Sequence, residues 1–379
     1  MVAIHRCILS CFLCCVSAVI FLLGGSGLIY QPDISSGIRV RTYREQEACM
    51  KRNCTQNSTD SRRRSRFRNR HSEYTQEIIS GIQQAFGTTP EPDQKDLEIT
   101  RSIRNETYRT VCAADDIQSP RDLTYEQRDK LFSQIIVDDE RKFLYCFVPK
   151  VACSNWKRVI KYMQGSLDNI EKQIKMDHKA DLVFLKELSY HEIQYRLSNY
   201  YKFMFVRNPM ERLLSAFRNK FGEDIGNYRK RYGPTIAKRY RQGKNNSGNY
   251  DDITFEEFIR LVVDTDDVNR MDPHWRPMHE LCQPCAVHYD FIGSFEHLQY
   301  DAQYVLEQIR GDSDAYFPKR QMYYDPTTRD KIETELGRIK PEYLQQLIDK
   351  YILDFITFGY APPKKHKYQG NVFYSPSSP

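Results

Sequence analysis

The sequence predicts an α/β fold in which a central parallel sheet is flanked by helices. Three observations lead to this prediction: short apolar runs of strand length, helical patterns between them, and strand-to-helix turns that carry charged residues. Strands that alternate with helices in this way favour parallel pairing. Of the 379 residues, 40% are hydrophobic and 13% are aromatic. This composition suffices for a large buried core.

Four apolar runs are predicted strands. They are KFLYCFV (142–148), ADLVFL (180–185), KFMFV (202–206) and YDFIGSF (289–295). Six segments with helical spacing are predicted helices. They are 123–136, 155–164, 210–221, 254–263, 297–309 and 341–355. Pro209 stands at the first turn of the third helix, which proline favours. Thr254, followed by acidic residues, is the predicted N-cap of the fourth.

An uncharged segment of 24 residues, 7–30, precedes these elements. It is long enough to span a bilayer, since about 20 helical residues suffice. His5 and Arg6 lie before it, and no Lys or Arg follows until Arg39. This charge asymmetry keeps the N-terminus in the cytosol. We expect an uncleaved anchor, with a signal peptide cleaved near 24–27 as the alternative.

The predicted division of the chain is a cytosolic tail (1–6), a transmembrane signal anchor (7–30), a lumenal stem (31–100) and one folded domain (101–379). The stem is polar and contains an Arg-rich run at 62–70, which we interpret as a solvated charge run. N-glycosylation sequons agree with lumenal exposure. They occur at Asn53, Asn57, Asn105 and Asn245.

The formal net charge of +6 is too small to indicate nucleic-acid binding, but it fits a polyanionic partner. Basic residues are concentrated in 218–244. If this stretch is helical, several of them share a face that can line a groove for a polyanion. An ordinary solvated helix explains the same residues equally well.

Two strand-to-helix turns carry the strongest chemical signal. Lys150 is followed by small residues, so backbone N–H groups can approach a ligand at the start of the next helix. Arg207 ends the next apolar strand and offers a planar fork for phosphate. Ser215, two turns into the following helix, can share that ligand, and Arg212 can pair with a phosphate or with Glu211. Either turn alone also fits a surface Lys or an ordinary ion pair, whereas together they suit a ligand with two separated phosphates.

The segments PKVACSNWKRV and FVRNPMERLLSAFRNKF resemble the phosphate-binding motifs of the Golgi carbohydrate 4-O-sulfotransferases. The similarity extends through IRNETYRTVC (103–112), KMDHKADLVFL (175–185), ELCQPCAVHYDFIGSFE (280–296) and KYILDF (350–355). It is strongest to the members that sulfate GalNAc beside iduronate in dermatan sulfate. One departure is Asn208, where the family has Glu, but Arg207 is retained.

The resemblance implies a P-loop-like sulfotransferase fold and transfer of sulfonate from PAPS (3′-phosphoadenylyl sulfate), without a metal. The residues around the 5′-phosphosulfate are then Pro149, Lys150, Val151, Ala152, Cys153, Ser154 and Asn155. Those around the 3′-phosphate are Arg207, Asn208, Pro209, Met210, Glu211, Arg212, Leu213, Leu214 and Ser215. Lys150 is expected to stabilise the charge that develops on the bridging oxygen. The anchor and stem do not match that family in detail. The expected localisation, a single-pass type II protein of the Golgi membrane with a lumenal catalytic domain, therefore rests on the uncharged segment 7–30 and the charges around it.

The acceptor hydroxyl has to lose a proton, and a histidine is the natural base. We favour His178, which lies in a loop before a predicted strand, and rank His274 second. Cys282 and Cys285 form a CQPC motif, for which a disulfide is the preferred interpretation in the lumen. A zinc site with His279 and His288 is the weaker alternative, because zinc sites usually have a longer loop between ligand pairs.

The predicted partner is a glycosaminoglycan acceptor, dermatan or chondroitin, and not a nucleic acid. Transfer to chondroitin or another GalNAc-bearing glycan is the nearest alternative function. A non-enzymatic glycosaminoglycan-binding membrane protein is an alternative of another class. A P-loop kinase is disfavoured, because the sequence lacks GxxxxGK[ST] and a clear acidic magnesium ligand. Assembly with other glycosaminoglycan-modifying enzymes, or with a second copy, stays open.

Overall fold

A five-stranded sheet lies at the centre of the computed structural model, which describes residues 94–171, 181–241, 250–319, 329–368 and 371–375. The strands are β1 (Ile135–Asp138), β2 (Phe143–Cys146), β3 (Val183–Phe184), β4 (Tyr201–Val206) and β5 (Phe291–Ser294). Their order across the sheet is β3-β1-β2-β4-β5. Helices flank this sheet, which confirms the predicted α/β class. All four predicted strands are present, each shorter than its apolar run except β4.

The sheet is mixed, whereas the sequence predicted a parallel one. β2 pairs in parallel with β4, and β4 with β5, but β1 pairs antiparallel with both β2 and β3. Only residues 139–142 separate β1 from β2, and a connection this short joins antiparallel strands. The sequence pattern assigned Ile135 and Ile136 to the preceding helix, because they continue its apolar spacing. β1 is therefore a strand that sequence reasoning missed.

The helices surround the sheet and carry most of the remaining core. They are α1 (Gln94–Ala113), α2 (Tyr125–Phe132), α3 (Cys153–Met163), α4 (Tyr190–Asn199), α5 (Pro209–Phe217), α6 (Tyr228–Tyr240), α7 (Phe255–Val263), α8 (Met278–Cys282), α9 (Pro284–Val287), α10 (Leu298–Ile309), α11 (Arg329–Leu336), α12 (Pro341–Lys350) and α13 (Ile352–Phe358). A π-helical turn, Arg218–Gly222, extends α5, and a hairpin of β6 (Lys364–Tyr368) and β7 (Asn371–Ser375) follows α13.

All six predicted helices are confirmed, with differences in extent. The segment 341–355 is divided between α12 and α13. Thr254 caps α7 as predicted, since its hydroxyl accepts from the Glu257 N–H at 3.2 Å and the Glu257 carboxylate accepts from the Thr254 N–H at 2.9 Å. This reciprocal pair satisfies two N–H groups at the helix start.

The helix α1 crosses the predicted stem boundary at residue 100. Its residue Glu98 accepts a hydrogen bond from the Tyr300 hydroxyl at 3.2 Å, and Arg101 stacks on the ring of Tyr304 at 4.2 Å. The described fold therefore extends back to residue 94. Among the described helices, none combines the length and apolar character needed to cross a bilayer. The predicted anchor, 7–30, lies outside the described residues.

Aromatic packing holds α3 against the sheet. Trp156, which is fully buried, lies 5.0 Å from the ring of Phe203 and 5.2 Å from that of Phe205. Gly293 in β5 allows Phe205 to pack directly over the neighbouring strand, because a Cβ at this position would lie 2.4 Å from the Phe205 ring. These contacts fix the start of α3 relative to the ends of β2 and β4.

Candidate functional site

The ends of three parallel strands meet at one edge of the sheet. Cys146 at the end of β2 pairs with Met204 of β4, and Val206 at the end of β4 pairs with Ser294 of β5. The loops that follow these strands therefore begin side by side. Ligand sites of α/β sheets form at such carboxyl ends. Both phosphate-binding turns predicted from the sequence lie here.

The two predicted turns are in direct contact. Arg207 Nη1 donates a hydrogen bond to the Lys150 carbonyl oxygen at 3.4 Å. The Arg207 guanidinium consequently lies against the backbone of the Lys150 turn. A ligand that touches both turns needs no rearrangement of the sheet, which agrees with the prediction of two neighbouring anion sites.

The turn after β2 has an uncommon backbone conformation. Lys150 has φ 70° and Ala152 has φ 56°, although neither is glycine. Left-handed non-glycine residues are energetically costly and are found preferentially at functional sites. Left-handed residues alternating with others also turn successive N–H groups inward, which makes a concave anion-binding surface. The small side chains of this turn are evident in the sequence, but no sequence pattern predicted the left-handed conformation of Lys150 and Ala152.

The N-terminus of α3 points out of this turn. Ala152 is its N-cap and supplies no side-chain hydrogen bond. Within the described residues, no acceptor is bonded to the backbone N–H of Cys153 or Ser154. The helix dipole adds a partial positive charge at the same place. Ala152 to Asn155 are only partly buried, so the turn can present these donors to an anion.

Arg207 is held in place by groups from two elements. Its side chain is 5% exposed and pairs with the Glu211 carboxylate, with Nη2 to Oε2 at 3.3 Å. The guanidinium also lies 4.1 Å from the ring centre of Phe295, at the end of β5. Burial raises the pKa of Glu211, while the Arg207 charge opposes that rise. A phosphate near Arg207 would compete with Glu211 for the same donors.

Asn208 caps α5. Its side-chain oxygen accepts from the Met210 N–H at 3.0 Å and from the Glu211 N–H at 3.4 Å. Its own backbone N–H donates to Glu296 Oε1 at 2.9 Å. Asn is among the preferred N-cap residues. The departure from the family pattern at this position therefore leaves the start of α5 well capped.

Arg212 does not face a ligand, contrary to the prediction that it pairs with a phosphate or with Glu211. Its side chain is 1% exposed and donates to three backbone carbonyls. The bonds are Nε to Pro149 O at 3.0 Å, Nη1 to Arg276 O at 2.7 Å and Nη2 to Pro273 O at 2.8 Å. The guanidinium thus joins the Lys150 turn to the loop before α8.

The other predicted phosphate residues divide into two groups. Ser154, Asn155 and Glu211 are partly exposed beside Lys150 and Arg207. Ser215 is 2% exposed, so only the part of α5 nearer Arg207 is open to a ligand. Six more are buried and support the turns from behind, which leaves only their backbone groups for binding. They are Pro149, Val151, Met210, Leu213 and Leu214, together with the helix-initiating Pro209.

Basic residues beyond the two motifs increase the positive potential of the site. Lys220, in the π-helical turn, is 8% exposed, and its ammonium lies 4.7 Å from the ring centre of Tyr228. Burial lowers the pKa of Lys220, and the nearby charge of Lys150 lowers it further. An anion bound nearby would relieve the repulsion between these two ammonium groups.

His274 lies in the loop that Arg212 ties to the Lys150 turn. Its Nδ1 is 2.7 Å from Oδ1 of Asp272. Burial lowers the pKa of His274, the hydrogen bond and charge of Asp272 raise it, and Lys220 and Lys150 lower it. The structure thus brings the second-ranked candidate base close to Lys150. The first-ranked candidate, His178, lies outside the described residues and stays a prediction.

Cys282 and Cys285 both form disulfides, as predicted for the CQPC motif, but they are not bonded to each other. Cys282 is bonded to Cys146 at the end of β2, and Cys285 to Cys112 at the end of α1. Cys282 and Cys285 lie on different short helices, α8 and α9, and each meets a cysteine more than a hundred residues away in sequence. A spacing pattern contains no information about such distant partners.

Asn105 is wrongly predicted as a glycosylation site, because the fold uses its side chain. It is 7% exposed, donates to the Ile292 carbonyl at 3.1 Å and accepts from the Ile292 N–H at 2.9 Å. The amide thus pairs α1 with β5, and a glycan on it is incompatible with this packing. Asn53, Asn57 and Asn245 lie outside the described residues.

The donor set fits a nucleotide with two anionic groups. The Lys150 turn offers backbone N–H groups, a helix N-terminus and an ammonium, and Arg207 offers a planar guanidinium at the end of the neighbouring strand.

Within the described residues, the one group of potential metal ligands is Asp115, His279 and Cys285, and Cys285 is already in a disulfide. That group lies apart from both turns along the chain and takes no part in the site.

Comparison with known proteins identifies a family and several similar proteins. A sulfotransferase family model matches residues 133–361. Carbohydrate sulfotransferase 14 of Homo sapiens is 50% identical over 273 residues, which cover 72% of this chain and 72% of that protein. Carbohydrate sulfotransferase 14 of Danio rerio is 51% identical over 271 residues, covering 70% and 73%. Carbohydrate sulfotransferase 11 of Mus musculus is 34% identical over 300 residues, covering 76% and 81%. No solved structure is significantly similar to this chain.

Proposed function

Because this chain belongs to the sulfotransferase family, we propose that it transfers sulfonate from PAPS to the 4-hydroxyl of GalNAc in dermatan sulfate. The observation that most supports this proposal is the contact between Arg207 and the Lys150 carbonyl, which joins the two strand-to-helix turns at neighbouring ends of parallel strands. PAPS has a 5′-phosphosulfate and a 3′-phosphate, and so requires two such sites. The left-handed residues of the first turn support the assignment.

The proposed roles follow from the chemistry of each turn. Pro149 to Asn155 surround the 5′-phosphosulfate, and Arg207 to Ser215 surround the 3′-phosphate through their accessible side chains and backbone groups. The Lys150 ammonium lies where negative charge develops as the sulfur–oxygen bond breaks. A cation placed in advance at that point lowers the barrier electrostatically. A metal is not part of the proposal.

The preference for GalNAc next to iduronate rests on the resemblance of the motifs and on the similarity to carbohydrate sulfotransferase 14. Chondroitin, in which glucuronate takes that place, is the alternative acceptor. The exposed basic residues of α6 support a polyanionic acceptor of either kind. They are Lys230, Arg231, Lys238 and Arg239.

The test is a radiolabelled PAPS assay of the full-length chain on desulfated dermatan and on chondroitin, with disaccharide analysis of the product. Lys150→Ala is expected to lower kcat about 10²-fold or more, as for other removed charge-stabilising groups. Arg207→Ala is expected to weaken PAPS binding. Lys186→Ala and Arg270→Ala are the matched controls, since Lys186 is half-exposed and Arg270 is 83% exposed, each in a surface ion pair.

Two results contradict the proposal. Activity on chondroitin alone would replace the dermatan assignment by its alternative. Heparin retention without PAPS binding, unchanged in Lys150→Ala and Arg207→Ala, would support a non-enzymatic glycosaminoglycan-binding protein instead.

We further propose a single-pass type II protein of the Golgi membrane with its catalytic domain in the lumen. The uncharged segment 7–30 and the charge asymmetry around it support this topology. Asn53, Asn57 and Asn245 are the proposed glycan acceptors. Endoglycosidase sensitivity of the intact chain, and its loss when these three are replaced by Gln, test the lumenal orientation.

A further inference from the structure

His274 and Asp272 form a well-defined pair in the loop before α8. Besides the 2.7 Å contact between His274 Nδ1 and Asp272 Oδ1, the His274 N–H donates to Asp272 Oδ1 at 3.0 Å. The Tyr228 hydroxyl donates to Asp272 Oδ2 at 3.0 Å and lies 3.2 Å from His274 Nδ1. The Asp272 side chain is 5% exposed. Its carboxylate is therefore held in one orientation, and it orients the ring of His274.

The pair determines which nitrogen of His274 carries the proton. An ionised carboxylate only accepts hydrogen bonds, so Nδ1 keeps its hydrogen and Nε2 keeps a lone pair. Within the part of the chain that the structure describes, Nε2 has no hydrogen-bond partner. The His274 side chain is 28% exposed, whereas Asp272 beneath it is buried. Such an oriented, partly accessible imidazole is the arrangement that general bases use.

The chain places His274 next to the proposed sulfonate site. Arg212 donates from Nε to Pro149 O at 3.0 Å and from Nη2 to Pro273 O at 2.8 Å. Lys150 and His274 are the residues that immediately follow these two prolines. One buried guanidinium therefore ties the proposed leaving-group side of the site to the loop that presents the imidazole.

Burial and two nearby ammonium groups favour the neutral form of His274. Burial and the ammonium groups of Lys220 and Lys150 lower its pKa, and Asp272 opposes them. Arg231 Nη1, on α6, lies 3.7 Å from Asp272 Oδ2 and partly offsets that carboxylate. A base has to be unprotonated before it accepts a proton, so this lowered pKa suits the role.

We propose that His274 is the catalytic base of sulfonate transfer and that Asp272 is its positioning residue, an inference that rests on the function proposed above. His274 Nε2 takes the proton of the acceptor hydroxyl as that oxygen bonds to sulfur. The bond from sulfur to the 5′-phosphate oxygen breaks, and its electron pair stays on that oxygen beside Lys150. Asp272 stabilises the imidazolium that forms, and Tyr228 holds Asp272.

The first test compares His274→Ala, His178→Ala and a control, His191→Ala, in the full-length chain. His191 is exposed on α4. Loss of a general base typically costs about 10²–10⁴-fold in rate. We expect His274→Ala to lower kcat by at least about 10²-fold while PAPS binding and the melting temperature stay near those of the control. Near-normal kcat in His274→Ala with loss in His178→Ala would overturn the inference, as would loss of PAPS binding in His274→Ala.

A pH profile supplies a second readout that a structural role would not change. The wild-type kcat/KM, which reports the groups of the free enzyme, is expected to fall as the pH decreases through the lowered pKa of His274, that is, below its ordinary value of 6.5. Asp272→Asn removes the group that raises this pKa, so the acid limb should move to lower pH and the maximal kcat should drop. An acid limb that does not move in Asp272→Asn refutes the positioning role.

The two proposals fail in different ways. If the wild-type chain binds no PAPS and transfers no sulfonate to any glycan, the proposed function is wrong. If the wild-type chain is active and His274→Ala is equally active, only the assignment of the base is wrong.

Discussion

Replacement of Arg212 by Met is expected to destabilise the domain strongly, because this side chain joins three segments from inside the protein. Its guanidinium donates to the carbonyl oxygens of Pro149, Pro273 and Arg276 at 2.7–3.0 Å, with 1% of the residue exposed. Met fills much of the same volume but donates no hydrogen bond. Three buried carbonyls would then lack these donors.

The magnitude follows from those three bonds. A hydrogen bond from a charged donor contributes about 1.5–3 kcal/mol, so three would sum to roughly 5–9 kcal/mol. Removing the buried charge recovers part of its desolvation cost, since burial lowers the pKa of Arg212. We therefore expect a loss of about 3–5 kcal/mol in the free energy of unfolding, a large share of the 5–15 kcal/mol of a typical domain. Arg212→Lys keeps the charge but not the planar fork, and should lie between wild type and Met.

Urea unfolding followed by tryptophan fluorescence measures this loss, since both tryptophans, Trp156 and Trp275, are buried. Arg260→Met is the control, because Arg260 stacks on Tyr240 at 4.1 Å and its loss should cost only about 1 kcal/mol. A loss in Arg212→Met no larger than that of the control would refute the reasoning.

Three further predictions concern the same domain. Asn105→Gln should not change the glycan content seen by endoglycosidase digestion, but should lower the melting temperature, because two buried bonds to the β5 backbone are lost; a mobility shift would contradict this. Cys282→Ser should leave Cys146, and not Cys285, free for alkylation in the unfolded, unreduced chain, as read by mass spectrometry, and should cost about 2–5 kcal/mol of unfolding free energy. Burial raises the pKa of Asp354 from 3.8 to about 6, so its folded form binds the proton more tightly than its unfolded form. The stability that this tighter proton binding gives the folded state is fully present below pH 3.8. It is lost as the pH rises to about 6, a change of about 3 kcal/mol in unfolding free energy. Asp354→Asn should remove this slope from urea titrations at a series of pH values, and an unchanged slope would contradict the assignment.

Local patterns were sufficient to predict most elements and the two strand-to-helix turns that contain Lys150 and Arg207. The run before Pro149 and the run before Arg207 are apolar, short and followed by helical spacing, so each strand–turn–helix unit is encoded within about twenty residues. Their placement at one edge of the sheet follows from parallel pairing, which the alternation of strands and helices indicates. The extent of α5 and its proline start were likewise predictable from local spacing.

Other features depend on which distant segments pack together. β1 continues the apolar spacing of α2, and only its pairing with β2 shows it to be a strand. Arg212 belongs to a phosphate motif in sequence but is buried, because the Lys150 turn and the loop before α8 supply carbonyls around it. Nothing in the spacing of Cys282 and Cys285 distinguishes a mutual bond from bonds to distant cysteines.

The sequence by itself determined the α/β class, the order of the strand–turn–helix units and the position of the Lys150 and Arg207 turns, since these depend on interactions between near neighbours along the chain. Only the tertiary structure decided the mixed pairing of the sheet, the partners of the cysteines, the structural use of Asn105 and Arg212, and the connection of the His274 loop to the Lys150 turn through Arg212. Each of these joins segments far apart in sequence, and close packing of the folded core selects such partners by shape and by the need to satisfy buried polar groups.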